Sequence, residues 1–460
     1  MVVKREIDKK VLGALVIACL LPAASVFAEE VEDPLEQCRH KILLNPTDPE
    51  PYYNRALWHA RLRNDDKAIE DYNKCISLAP DMASAYANRG NIFYRQSKID
   101  AAIKDFNKAI ALAPDRANYY YNRACAYRSV SDFTNALADF NKAAQKDSKN
   151  ELIVEARADL YLRKGNNRLA IDDYTAAIAL NPRRAELFNK RGSAYFELKK
   201  FDLAMADFED SIKLEPANAV SYYNRASAEH KLKNYKACIQ DYARCIQLDA
   251  HKCEPYASRG KAYYEQNEYK KALADFDNAL KIDSQRGDLY HARGCTHLAL
   301  GNNQQAADDS GKAISLKANV MAAKWNRAAA FLALKSFGKA LEDMNDVVRA
   351  EPNNAMAFNN RADIYNNLNK AELAIADCNQ ALKLDPSCSV AYATRAEAYD
   401  RLAQYEPAVK DMSKFIELNP KFAQAYVSRG KMHEKLGRWD LSAKDRQHAD
   451  QLGYKDSFTR

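Results

Sequence analysis

The 460 residues carry 69 Lys and Arg against 62 Asp and Glu, a formal charge of +7, with 47% apolar residues and only 13 Gly and 14 Pro. This composition excludes a disordered, collagen-like or turn-punctuated all-β chain and favours helices. So small a surplus, with no Lys/Arg run, also excludes the clustered basic surface that nucleic-acid binding needs, and the length calls for a search for internal repeats first.

At the start, Lys4, Arg5, Lys9 and Lys10 flank an apolar run, Val11 to Leu21, and Val26-Phe27-Ala28 supplies the pattern of a signal-peptidase site. Residues 1–28 are therefore expected to be a signal peptide cut after Ala28. The run is about eleven residues, short of the roughly twenty that span a bilayer, although an uncleaved anchor stays open. So does a lipoprotein, because Val16-Ile17-Ala18-Cys19 resembles the cleavage box that leaves an acylated cysteine. Nothing downstream is apolar for long enough to span a membrane. Cleavage would leave a charge of +5 and nine cysteines without a CxxC pair. Export permits disulfides, but this spacing does not demand them.

Residues 29–48 end near Pro46, which stands 34 residues before Pro80, so Leu35 to Leu44 is expected to form a lone helix capping the segment that begins at residue 49. From residue 49 the pattern is strict. Arginine recurs every 34 residues from Arg55 to Arg429, and aspartate from Asp71 to Asp445, always sixteen residues after its arginine. Twelve repeats run without insertion, beginning at 49, 83, 117, 151, 185, 219, 253, 287, 321, 355, 389 and 423, with residues 457–460 as a tail.

Within each repeat, position eight is always Gly or Ala, position four is nearly always aromatic, position 20 is Ala in ten repeats, and position 32 is Pro in seven. Residues three and four apart share a helix face, so aromatics at four and eleven around a small residue at eight define a first helix. Ala at 20, an aromatic such as Phe106 or Tyr174 at 24 and a small residue at 27 define a second. Small faces large, which permits close interlocking, and Pro ends the second helix.

This pattern of aromatic, Gly/Ala, aromatic, Ala, aromatic, Ala and Pro resembles the tetratricopeptide repeat family across residues 49–456. The resemblance implies an all-α, right-handed α-solenoid of helix-turn-helix repeats. Departures are Val154, Lys324 and Glu229 at aromatic sites, Ser310, Cys378 and Arg446 at position 24, and Ser148, Ala250, Ser284 and Ala318 in place of Pro, which makes the eighth repeat look locally soft. The polar Arg446, Gln447 and His448 suit the closing helix of a stack. With only the short tail beyond, no room is expected for an appended catalytic domain.

Opposite charge and one-to-one stoichiometry mark the Arg and Asp series, such as Arg89 with Asp105, Arg191 with Asp207 and Arg361 with Asp377, as structural ion pairs within or between repeats. No HExxH, GxxxxGK[ST], GxGxxG or GxSxG occurs, so no enzyme activity and no cofactor is expected. His291 and Cys295, with His297 close by, could supply two metal ligands, too few to close a site. Cys238 and Cys245 are two turns apart, roughly 10 Å by helix rise, too far for a disulfide and better read as buried packing.

The family resemblance implies that first helices line a concave groove whose ligand contacts come from positions 2, 5, 9, 12 and 13. Here these positions include Tyr53, Arg61, Tyr94, Arg95, Tyr121, Arg128, Phe196, Tyr223, Tyr264 and Trp325, expected as partner-binding residues. Arg163, Lys231, Lys261, Arg401, Lys431 and Lys435 add to their positive charge. The acids opposing them are Glu50, Glu155, Asp159, Glu186, Glu197, Glu254, Glu265, Asp288, Asp363, Glu397, Asp400 and Glu434, a groove charge of −3 with arginines concentrated in repeats 1–4. No repeat has Lys at position five, which argues against the family's clamp for chaperone-tail carboxylates. The expected function is an exported, most plainly periplasmic, scaffold that holds an extended peptide or a partner's helix, with oligomeric state left open. Alternatives are a lipid-anchored envelope-assembly factor, a secreted protein, and the non-catalytic recognition part of an enzyme complex.

Overall fold

A computed structural model describes residues 33–454. The expected signal peptide, residues 1–28, and the tail 457–460 lie outside these residues. The chain divides into two compact units, Met1–Ala217 and Asn218–Arg460. Among the described residues there are twenty-five α-helices and no strand. The first, Pro34–Leu44, is capped by Asp33, whose carboxylate accepts from the Leu35 amide, and packs on the next helix. Its last residues, Leu43 and Leu44, are 82% and 72% exposed, so the cap covers less than its apolar content suggests. The other helices alternate as a first (A) and a second (B) helix of each 34-residue unit.

In the first unit the A helices are Pro49–Arg61, Ala83–Arg95, Ala117–Ser129, Glu151–Arg163 and Ala185–Glu197, each followed by a B helix such as Asp65–Leu78 or Phe133–Lys146. Each A helix packs on its own B helix and on the preceding one. The interlock is tight: a Cβ on Gly192 would approach Phe208 Cε1 to 2.7 Å, and one on Gly90 would approach Phe106 Cε1 to 2.8 Å. Ala68, Ala102, Ala136, Ala170 and Ala204, the position-20 series, are wholly buried. At position four, Tyr52 and Tyr86 donate their hydroxyls to the carbonyls of Pro46 and Pro80, each at 3.3 Å, so the repeat's aromatic also satisfies the proline turn before it.

The second unit repeats this architecture, from Ala219–Lys231 with Tyr235–Leu248 to Ala423–Lys435 with Trp439–Gln451. Gly260 would likewise meet Phe276 at 2.8 Å, and Tyr392 and Tyr426 reach Pro386 and Pro420. The closing helix is tied down by its polar residues: Arg446 and Ser442 both bond Glu434, and the His448 ring lies 4.5 Å from that of Tyr426.

In both units the A-to-B turn bends through a left-handed residue at position 15, and most of these residues carry side chains, for example Ser97 (φ 60°), Lys199 (φ 59°) and Ala403 (φ 54°). The amides of Ser97 and Lys98 donate back to Tyr94 and Phe93, a Schellman closure of the helix end. One junction departs from the rule. After the B helix Asn303–Ser315, Lys317 (φ 56°) and Asn319 (φ 47°) are both left-handed, and the next A helix begins at Val320 rather than 321. Ala318 occupies the proline position here, and Gly287 makes room for it, since a Cβ at Gly287 would fall 2.5 Å from the Ala318 methyl. Ser148, Ala250 and Ser284 also replace proline yet their A helices start in register, so loss of proline alone does not shift the helix start; the altered path coincides with the close Gly287–Ala318 approach.

Candidate functional site

The A helices are held in place by the arginine and aspartate series. Each arginine grips the aspartate sixteen residues on: Arg89 Nε and Nη2 lie 2.8 and 2.7 Å from Asp105, Arg191 2.9 and 2.7 Å from Asp207, and Arg361 2.7 and 2.8 Å from Asp377. The remaining Nη1 often reaches position 25 of the preceding B helix, as Arg89 does to Asn73 at 2.6 Å and Arg191 to Thr175 at 3.1 Å. Tyr86 and Phe93 flank the Arg89 guanidinium. The pairs therefore join two helices of one repeat and also two repeats.

The aromatics expected to project from the A helices are half-buried rather than left over. They lean on the B-helix residues at positions 17 and 24. Tyr53 meets Tyr72 at 6.0 Å, Tyr121 meets Phe140 at 5.8 Å, Tyr223 meets Tyr242 at 5.6 Å, Phe196 meets Phe201 and Tyr264 meets Tyr269 both at 5.3 Å. Tyr94 packs into the cluster of Phe140 and Cys125, and Trp325 packs against the cluster of Met344. Burial raises the phenols of Tyr94, Tyr121 and Tyr223 above their ordinary range. Of the cations, Arg61 is exposed over Trp58 at 5.0 Å, Arg95 is paired with Asp65, and Arg128 sits 5.8 Å from the Phe140 ring.

Several groove acids are engaged by cations and hydroxyls of their own and neighbouring repeats. Glu155 is 7% exposed and binds Arg184 at 2.7 Å and Lys190 at 2.8 Å. Burial pushes its carboxyl up, but the two cations outweigh that and hold it below the ordinary value. Asp159 accepts from Tyr174 Oη at 2.6 Å and Lys190 at 3.1 Å. Asp288 is taken by Arg286, Glu397 by Arg401, and Glu265 lies 3.1 Å from His230 Nε2.

Lys190 exposes a feature that the repeat pattern hides. Position six of one repeat laces to positions five and nine of the repeat before it: Asn88 donates to Tyr53 Oη at 3.0 Å, Tyr223 Oη meets Ser258 Oγ at 3.3 Å, and Asn326 donates to Cys295 Sγ at 3.0 Å. The sequence signal is a separation of 35 or 31 residues, one residue beyond the period or three short of it. His291 Nε2 lies 3.8 Å from Cys295 Sγ, while His297 turns toward Asp309 instead. Among the described residues no three His, Cys, Asp or Glu side chains converge, and no helix is long and apolar enough to cross a membrane. Cys238 and Cys245 are buried and, like the other seven described cysteines, unpaired.

Family models described as the tetratricopeptide repeat match residues 49–82, 83–116, 117–150, 155–219, 219–252, 291–354, 355–388 and 390–422, and one described as the TPR repeat matches 260–301. No curated protein matches the chain. Solved structures similar to it include a tetratricopeptide repeat protein from Parabacteroides merdae, at 22% identity over 54% of this chain and 98% of that one, with a TM-score of 0.43. YrrB, described as a TPR protein with an unusual peptide-binding site, is 19% identical over 41% and 96%, with a TM-score of 0.37. The Cut9–Hcn1 hetero-tetramer of the APC/C is 13% identical over 92% and 91%, with a TM-score of 0.42.

Proposed function

Because the chain belongs to the tetratricopeptide repeat family, we propose that it is an interaction scaffold whose A-helix face binds an extended peptide or a partner's helix. The observation that carries this reading is the series of half-buried aromatics at positions five and twelve. Each has one edge fixed on a B-helix side chain and the other turned out of the core, so it offers contact area with little rotamer freedom left to lose. The position-six lacing acts in the same direction by fixing neighbouring A helices against each other. Export, on the charged, apolar and small-residue pattern of residues 1–28, belongs to the same proposal.

A photo-crosslinking amino acid placed at Tyr264 or Trp325 tests it. Capture of one reproducible polypeptide from these sites, and not from the exposed B-helix residues Lys104 and Lys108, is the expected result. Capture from the B-helix sites alone would move binding to the other face.

A further inference from the structure

We propose that Cys388 and Met356 form a binding site for a soft monovalent cation such as copper(I), where the A helices of the tenth and eleventh repeats begin. The Cys388 Sγ and Met356 Sδ atoms lie 3.8 Å apart. Met356 is the second residue of the A helix Ala355–Asn367, and Cys388 is the residue that caps the next A helix, Ser389–Arg401. A thiolate and a thioether are soft donors, a set that selects copper(I) over oxygen-seeking ions. With bonds of about 2.3 Å, the length of a metal–thiolate bond, a span of 3.8 Å closes an angle of about 110° at the metal. Two sulfurs can therefore share one cation without the backbone moving, and a further coordination position stays open.

The surroundings suit a cation arriving from solvent. Met356 is 42% exposed and lines an open hollow with Glu351, Pro352 and Asp385, whereas Cys388, in contact with it, is 6% exposed. The residues lining that hollow include two carboxylates and no cation. A soft ion would thus meet the thioether first and the thiol second. The Ala391 amide points at the thiol and favours its ionised form, while burial and the Asp385 carboxylate keep it protonated in the free protein. Binding exchanges the S–H bond for an S–metal bond and releases one proton to water. A second sulfur pair in the chain shows what packing alone looks like. Cys75 Sγ lies 3.4 Å from Met82 Sδ, but Cys75 is wholly buried in the first repeat's core. The same bonds of about 2.3 Å would there be squeezed to an angle of about 95°. Among the described residues no three His, Cys, Asp or Glu side chains converge, so no competing site for a harder ion stands nearby.

The test titrates copper(I), without oxygen and against a chromophoric copper(I) chelator, into the full chain carrying Cys19→Ser and Cys295→Ser, so that every remaining cysteine is buried. The expected result is one equivalent bound with one proton released, two sulfur neighbours in the copper X-ray absorption spectrum, and no displacement by excess zinc(II). Met356→Leu, which keeps the size of a part-exposed side chain, should weaken binding at least tenfold with Tm unchanged. Cys388→Ser should abolish binding, and Cys75→Ala should leave it intact. No binding, displacement by zinc(II), or an equivalent that survives Cys388→Ser would overturn the site. So would binding by the Met356→Leu chain equal to that of its parent, which would show a thiol acting without the thioether and does not depend on how well Cys388→Ser folds. None of these outcomes bears on the scaffold reading, which rests on the A-helix aromatics.

Discussion

Removing Asp105 alone should damage the fold more than removing Asp105 and Arg89 together. The Asp105 side chain is 7% exposed and that of Arg89 17%, so solvent screens neither much. Asp105→Ala deletes two charge-assisted hydrogen bonds, of 2.8 and 2.7 Å, and leaves a guanidinium between two rings in a site built for a neutral pair. Breaking a buried pair from one side typically costs about 3–5 kcal/mol. Arg89 keeps Asn73 at 2.6 Å on its exposed side, so the lower end, about 3 kcal/mol, is expected. Arg89→Met with Asp105→Leu removes both charges and fills the volume, and should fall within about 1 kcal/mol of wild type or above it. Because each repeat touches only its neighbours, the loss should be local. Urea titration followed by circular dichroism gives the totals, and hydrogen exchange resolved by peptide should place the opening at residues 83–116. A single substitution no worse than the double, or protection lost evenly along the chain, would refute the reasoning.

Gly260→Ala drives a methyl to 2.8 Å from Phe276 Cε1, and overpacking of this kind should lower stability by about 1–3 kcal/mol, read as an earlier urea midpoint. Ala403→Gly relieves a left-handed alanine at φ 54° and should gain up to about 1 kcal/mol, which an unchanged or earlier midpoint would contradict. Burial holds the imidazoles of His59, His291 and His433 below their ordinary pKa of 6.5. The unfolded chain therefore takes up protons first as pH falls through 6.5, so stability should decline from pH 7.5 to 5.5, and His291→Gln should flatten that slope. Burial pushes the Cys238 thiol up to about 12 and that of Cys75 to about 11, so a thiol reagent at pH 8 should label at most the half-buried Cys295 in the native protein. After unfolding, the protein should titrate nine thiols if cut after Ala28 and ten if the leader stays on with Cys19 unmodified; a lipid-bearing Cys19 has no free thiol and would also give nine.

The helix pairs are legible in the sequence because the 34-residue period places a small residue at eight against an aromatic at 24, and sterics leave few ways to pack that pattern. The ion pairs have the same origin, since positions seven and 23 oppose each other wherever those two helices interlock. Contacts between repeats are different. Those laced through position six fall at separations of 31 or 35 residues, so a helical wheel drawn for one repeat assigns Tyr53, Glu155 and Lys190 to an open face when a neighbour already bonds them. The turn at position 15 leaves little trace in the sequence because Ser97, Lys199 and Ala403 adopt a left-handed conformation ordinarily signalled by glycine. Gly287 carries no signal until Ala318 is seen against it.

The most direct test of a partner-binding A-helix face is crosslinking mass spectrometry on native cell envelopes, comparing wild type with a chain carrying Tyr53→Ala, Tyr264→Ala and Trp325→Ala. Loss of one reproducible partner with an unchanged circular-dichroism spectrum is the predicted result. Survival of every partner in the triple variant would contradict it and place binding on the B helices or at the ends of the array.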